Sequence, residues 1–163
     1  MPLTINGSGN ISSTANVVLS SAGLVYRTNR PAFLVRSGGF SSVSGDNPLI
    51  FTDVVYNIGG MYNTTNGRIT APVPGIYLIH MNLLSPASSA TFDLRFWKNG
   101  SIYNGSSPIA TYGGGASAYK HNSVSLPLSL EAGDWVAWYS LSGNTSSFHN
   151  DSTHNWISGC LLG

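Results

Sequence analysis

From Pro31 onward, short apolar segments are interrupted at close intervals by clusters of Gly, Pro, Asn and Ser, and this punctuation restricts the fold more than any other feature. The segments are Ala32–Arg36, Leu49–Tyr56, Gly67–Ala71, Ile76–Leu84, Thr91–Trp97, Ile102–Tyr103, Ser117–Leu128, Asp134–Leu141 and Asn155–Leu162. None carries the helical period, and each is bounded as a strand is bounded. Asn66-Gly67 and Asn99-Gly100 supply the positive φ that tight hairpins require, while Pro72 and Pro74 withhold ladder donors and so separate neighbouring strands. Composition agrees. Polarity is carried by 25 Ser, 15 Asn and 11 Thr, against a single Glu and no Gln, so strong helix formers are scarce. The expectation is an all-β sandwich with very little helix.

Charge is what the chain lacks. Charged residues make up 8% and the net charge is +1, which gives no footprint for a phosphate backbone and excludes nucleic acid as a partner. No apolar run approaches the roughly 18 residues that would span a bilayer, so no membrane partner is expected. The opening residues Met1 to Gly7 show no basic and apolar leader, so synthesis in a cytoplasm is expected. The lone Cys160 allows no internal disulfide and is expected to pack as a small buried hydrophobe.

Residues 1–30 differ from the rest. They are rich in turn formers, with apolar points at Leu3, Ile5, Ile11, Val17, Val18 and Leu19. Such a stretch cannot fill a core alone, and it is expected to be an extended docking arm in front of a head spanning 31–163. Within the head, Asp134–Leu141 places Trp135, Ala137 and Tyr139 on one face and Val136 and Trp138 on the other. Both faces are apolar, so one should line the core and the other should meet a partner.

Several motifs in order resemble the globular head of complement C1q. They are Leu49 to Tyr62, Asn66-Gly67-Arg68-Ile69-Thr70-Ala71-Pro72-Val73-Pro74-Gly75-Ile76-Tyr77, Lys98-Asn99-Gly100, Glu131-Ala132-Gly133-Asp134 and Trp156-Ile157-Ser158-Gly159-Cys160-Leu161-Leu162. Asn66 and Ile69 depart from the family's pattern. The resemblance implies a ten-stranded jelly roll of the C1q and tumour-necrosis-factor type that assembles as a homotrimer. Tyr77, Trp135, Tyr139 and Trp156 are the residues expected at the subunit interface. If each subunit buries about 1,000 Å² of mostly apolar surface, the gross gain is roughly 25 kcal/mol before association costs.

The collagen-like Gly-X-Y repeat that precedes many such heads does not occur within these 163 residues. The opening Leu3 to Ile11 instead resembles the start of bacteriophage structural and tail-fibre proteins. That resemblance implies a virion protein, made in the host bacterial cytoplasm and displayed on the virion surface. The expected role is capsid decoration: a cement trimer held on the major capsid protein, or another virion protein, through Leu3, Ile5, Ile11, Val17 and Leu19. A tail-fibre tip that recognises a host surface glycan or protein is the alternative, and a soluble C1q-like ligand-binding module is a further one.

No catalytic constellation is visible, so the chain is not expected to be an enzyme or to need a cofactor. The densest set of possible ligands is His149, Asp151 and His154, in a loop between two large strands. Two imidazoles and a carboxylate so close could hold a divalent metal or a ligand. A solvated surface loop is the simpler account, and no metal is expected. His80, within an apolar strand, is expected to be half-buried and hydrogen-bonded, and His121 to lie on an exposed strand.

Overall fold

Alternation of buried and exposed side chains builds the sandwich seen in the computed structural model of the chain. The structure describes residues 4–5, 11–12, 17–19, 25–27, 30–38, 42–85, 91–103, 110–113, 120–140, 145–149 and 151–162. Among them every regular element is a strand. The chain divides into two units, Met1–Arg30 and Pro31–Gly163.

The first unit is not the extended arm expected from its composition. Strands β1 (Thr4–Ile5), β2 (Ile11–Ser12), β3 (Val17–Leu19) and β4 (Val25–Arg27) pair in sequence order into a four-stranded antiparallel sheet. Ile5 lies opposite Ile11, Val17 opposite Arg27 and Leu19 opposite Val25. Paired in this way, the strands satisfy one another's backbone groups. Leu3 lies outside the described residues.

The second unit begins with β5 (Ala32–Arg36), β6 (Ser42–Ser44), β7 (Asp53–Ile58) and β8 (Ile69–Thr70). It continues with β9 (Gly75–Ser85), β10 (Thr91–Lys98), β11 (Ser101–Ile102) and β12 (Ala110–Gly113). It closes with β13 (Lys120–Leu130), β14 (Trp135–Ser140), β15 (Thr145–Ser147) and β16 (Trp156–Leu161). One sheet runs β13-β9-β16-β5-β7; the other runs β11-β10-β14-β8, with β12 also paired to β10, and β6 pairs with β15. All pairings are antiparallel. The unit thus has twelve described strands where ten were expected. The difference lies in short polar strands such as β6 and β15, whose Ser and Thr residues give no apolar alternation to read.

The core fills the space between the sheets. Phe33, Val35, Tyr77, Ile79, Met81, Leu83 and Ile157 project inward from the first sheet, and Ile69, Leu94, Phe96, Val136 and Trp138 from the second; all are fully or almost fully buried. Leu49 and Phe51 are also fully buried, yet no strand starts at Leu49 as expected. Their amides are engaged elsewhere: Leu49 N donates to Trp138 O at 2.8 Å, and Phe51 N to the Tyr62 hydroxyl at 2.8 Å.

The ordered motifs are architectural. Asn57 exchanges two hydrogen bonds with the backbone of Tyr62. The Tyr77 hydroxyl donates to Val73 O at 2.7 Å and closes the proline turn. The Asn99-Gly100 hairpin, with φ of 51° and 86°, docks on the turn before β14: Asn99 Nδ2 donates to Asp134 Oδ1 at 2.7 Å and Trp135 N donates to Asn99 Oδ1 at 2.9 Å. Lys98 Nζ completes the lock, 3.0 Å from Asp134 Oδ2.

Candidate functional site

Two surfaces of the second unit carry chemistry or unpartnered apolar area. The first is the outer face of sheet β13-β9-β16-β5-β7. Register places Leu34, Tyr56 and Ile58 on this face beside Trp156, Ser158 and Cys160, and then Ile76, Leu78 and His80. Tyr56, Ile58 and Ile76 are exposed. His80 stacks on Trp156 with ring centroids 4.8 Å apart, and its Nδ1 lies 2.6 Å from Ser125 Oγ, the half-buried, hydrogen-bonded setting expected. Cys160 is only half-buried here, not enclosed as expected, because register points it away from the core. Among the described residues, Lys, Arg, Asp and Glu are represented on this face by one ion pair, Arg36 Nε to Asp53 Oδ2 at 2.9 Å.

The four residues expected at a common interface do not converge. Tyr77 is fully buried in the core, because strand alternation turns it inward, and it cannot meet a partner. Trp135 and Tyr139 lie half-buried on the outer face of the other sheet. There the chain covers its own aromatics: the Arg68 guanidinium sits 3.9 Å over the Trp135 ring, and Trp97 packs on Tyr139 at 4.8 Å. Trp156 alone of the four stands on the exposed apolar face.

The second surface is the loop entering β16. Asn155, fully buried, holds it in place. Its Oδ1 accepts from Leu84 N at 2.8 Å, while its Nδ2 donates to His149 O and, at 3.2 Å, to Asp151 O. Asn82 Nδ2 adds a bond to His154 O at 2.7 Å. On this frame Asp151 Oδ1 accepts from the Thr153 and His154 amides at 2.7 and 2.9 Å. Its Oδ2 faces two rings, with His149 Nδ1 at 2.8 Å and His154 Nδ1 at 2.7 Å. Partial burial pushes the Asp151 carboxyl up, but the hydrogen bonds from His154, Thr153 and His149 outweigh it and hold the group well below the usual carboxylate range. His149, Asp151 and His154 are therefore brought together, as their spacing suggested. Sequence reasoning missed Asn155, whose buried strut could be suspected only from its place at the start of an apolar strand. It also missed His121, whose ring on β13 stands 5.7 Å from that of His154.

Known proteins share this architecture. The model of the C1q domain family matches residues 32–162. Complement C1q tumor necrosis factor-related protein 5 of Rattus norvegicus is 29% identical over 110 residues, 63% of this chain and 44% of the relative. The chain thus spans less than half the length of that curated relative. Among solved structures, the globular domain of zebrafish complement 1qA superposes with a TM-score of 0.64 at 19% identity, covering 82% of this chain and 98% of that one. Murine APRIL gives 0.61 at 12% identity, with 82% and 99% covered. The Eiger TNF of S. frugiperda gives 0.58 at 19%, with 82% and 94% covered.

Proposed function

The chain belongs to the C1q domain family, and from that membership we propose that it is a non-enzymatic binding module that works as a homotrimer. One observation carries the proposal: the outer face around Trp156, Leu34, Tyr56 and Ile58 is apolar and nearly free of charge, with Trp156 and Leu34 half-buried and Tyr56 and Ile58 exposed in the single chain. Burying such a face against a second copy is favourable, and a three-fold arrangement lets every copy do so without an open end. The family's domains typically form homotrimers, in keeping with this. Light scattering on the full-length chain tests it. A mass near three times 17.2 kDa is expected, and Trp156→Glu should shift the mass to one chain while the far-ultraviolet spectrum stays that of folded β-sheet. A single-chain mass for the wild type at micromolar concentration would overturn the proposal.

The setting we infer is the surface of a virion, supported by the resemblance carried by Leu3 to Ile11. Within it, capsid decoration and host recognition at a fibre tip remain distinct roles. The self-paired strands of residues 4–27 favour the tip, because strands that already satisfy one another have fewer backbone groups left to give a capsid groove. Binding of the full-length protein to host cells and to purified capsids separates the two. Capsid binding alone restores decoration, cell binding supports the tip, and binding to neither leaves a free-standing ligand-binding module.

A further inference from the structure

The loop that precedes β16 brings metal-ligand atoms together at one point, and we propose that His149, Asp151 and His154 bind a divalent transition-metal ion of the zinc class. This inference stands independently of subunit assembly. The donor atoms of the three residues all lie within 4.8 Å of one another. Asp151 is oriented for the task, because two backbone amides occupy Oδ1 and leave Oδ2 directed at both imidazoles. Two rings that both point Nδ1 at one carboxylate oxygen form three corners of a small polyhedron. An ion entering there takes Nδ1, Nδ1 and Oδ2 as ligands, and each neutral ring then carries its proton on Nε2.

The frame is assembled before any ion arrives. Asn155 and Asn82 tie the loop to β9 by its backbone carbonyls, so little ordering is left for binding to impose. The donor chemistry selects the metal. Two imidazoles with one carboxylate suit zinc, cobalt, nickel or copper, whereas calcium and magnesium require a shell of oxygens. The ligands are half-exposed, so an ion can reach them. A recess of about 430 Å³ lined by Leu84, His121, His149 and His154 adjoins the two rings. His121 stands there as a further imidazole from β13, outside the three-residue donor set.

Calorimetric titration of the full-length chain with zinc chloride tests the site, using protein prepared without a histidine tag and stripped of metal with EDTA. Saturation at one zinc per chain is expected, with a Kd of about 1 μM or tighter. The double substitution His149→Ala and His154→Ala should weaken binding by at least about tenfold. Should that variant fail to fold, the visible ligand-field spectrum of cobalt(II) bound to the wild type reads the same chemistry. Bands of a low-symmetry site with nitrogen ligands support the proposal, and the spectrum of the hydrated ion overturns it. Zinc binding left unchanged in the folded double variant, or calcium bound in preference to zinc, also overturns it.

Discussion

At Gly159 the inner face of β16 has no room for a methyl group: a Cβ there would stand 2.7 Å from Ile79 Cδ1, 2.7 Å from Phe33 Cε1 and 3.2 Å from Leu78 O. The glycine of the closing motif is thus required by packing. Gly159→Ala should overpack the core and lower stability by about 1–3 kcal/mol, read as a lower denaturant midpoint at unchanged slope. Tyr62 is constrained differently. Burial pushes its phenol from 10.0 up to about 12, although the hydrogen bond from the Phe51 amide pulls the other way. Folding favours the neutral form, so this contribution to stability is full below pH 10 and is lost as pH rises towards 12. In native protein, Tyr62→Phe should leave the rise in tyrosinate absorbance reached by pH 10.0 unchanged, because Tyr62 does not ionise there. A rise smaller by one tyrosine would show the phenol to be accessible.

Between elements, the lock of the Asn99-Gly100 hairpin on the turn before β14 joins two motifs far apart in the chain. The Asn99 side-chain amide, then the Glu131 amide and Lys98, hold the Asp134 carboxyl at about 2, below its ordinary 3.8. A depressed value in the folded state means that the lock contributes fully above pH 3.8 and fades as pH falls towards 2. Wild-type denaturation midpoints should therefore drop over that interval more steeply than those of Asp134→Asn; parallel curves would count against the lock. Hairpins of this kind were legible in the sequence, since Asn-Gly imposes its turn locally. Strands β6 and β15 were not, because Ser42-Val43-Ser44 and Thr145-Ser146-Ser147 become strands only by pairing with each other across the chain.

For the molecule as a whole, the missing charge bears on the proposed homotrimer. A subunit face whose described charged residues are the paired Arg36 and Asp53 gains little from ionic attraction and suffers little repulsion. Its three-chain mass should then hold from about 0.01 M to about 1 M salt, where screening lengths differ tenfold. Dissociation at high salt, measured by light scattering, would place polar contacts at the interface instead. The twofold apolar character of Asp134–Leu141 pointed to a partner over Trp135 and Tyr139. That expectation weighed the residues of one strand and could not see Arg68 and Trp97 arriving from elsewhere to cover Trp135 and Tyr139.

By itself the sequence determined the all-β class, most of the strands of the second unit and the turns between them, because alternation and φ preference act between neighbours in the chain. Only the tertiary structure decided that Tyr77 lies inside, that Trp156 stands on the open face, and that His121 joins His149 and His154 at one end of the sandwich. Burial and proximity depend on which strands pair and in what register, and register is set by the packing of the entire core.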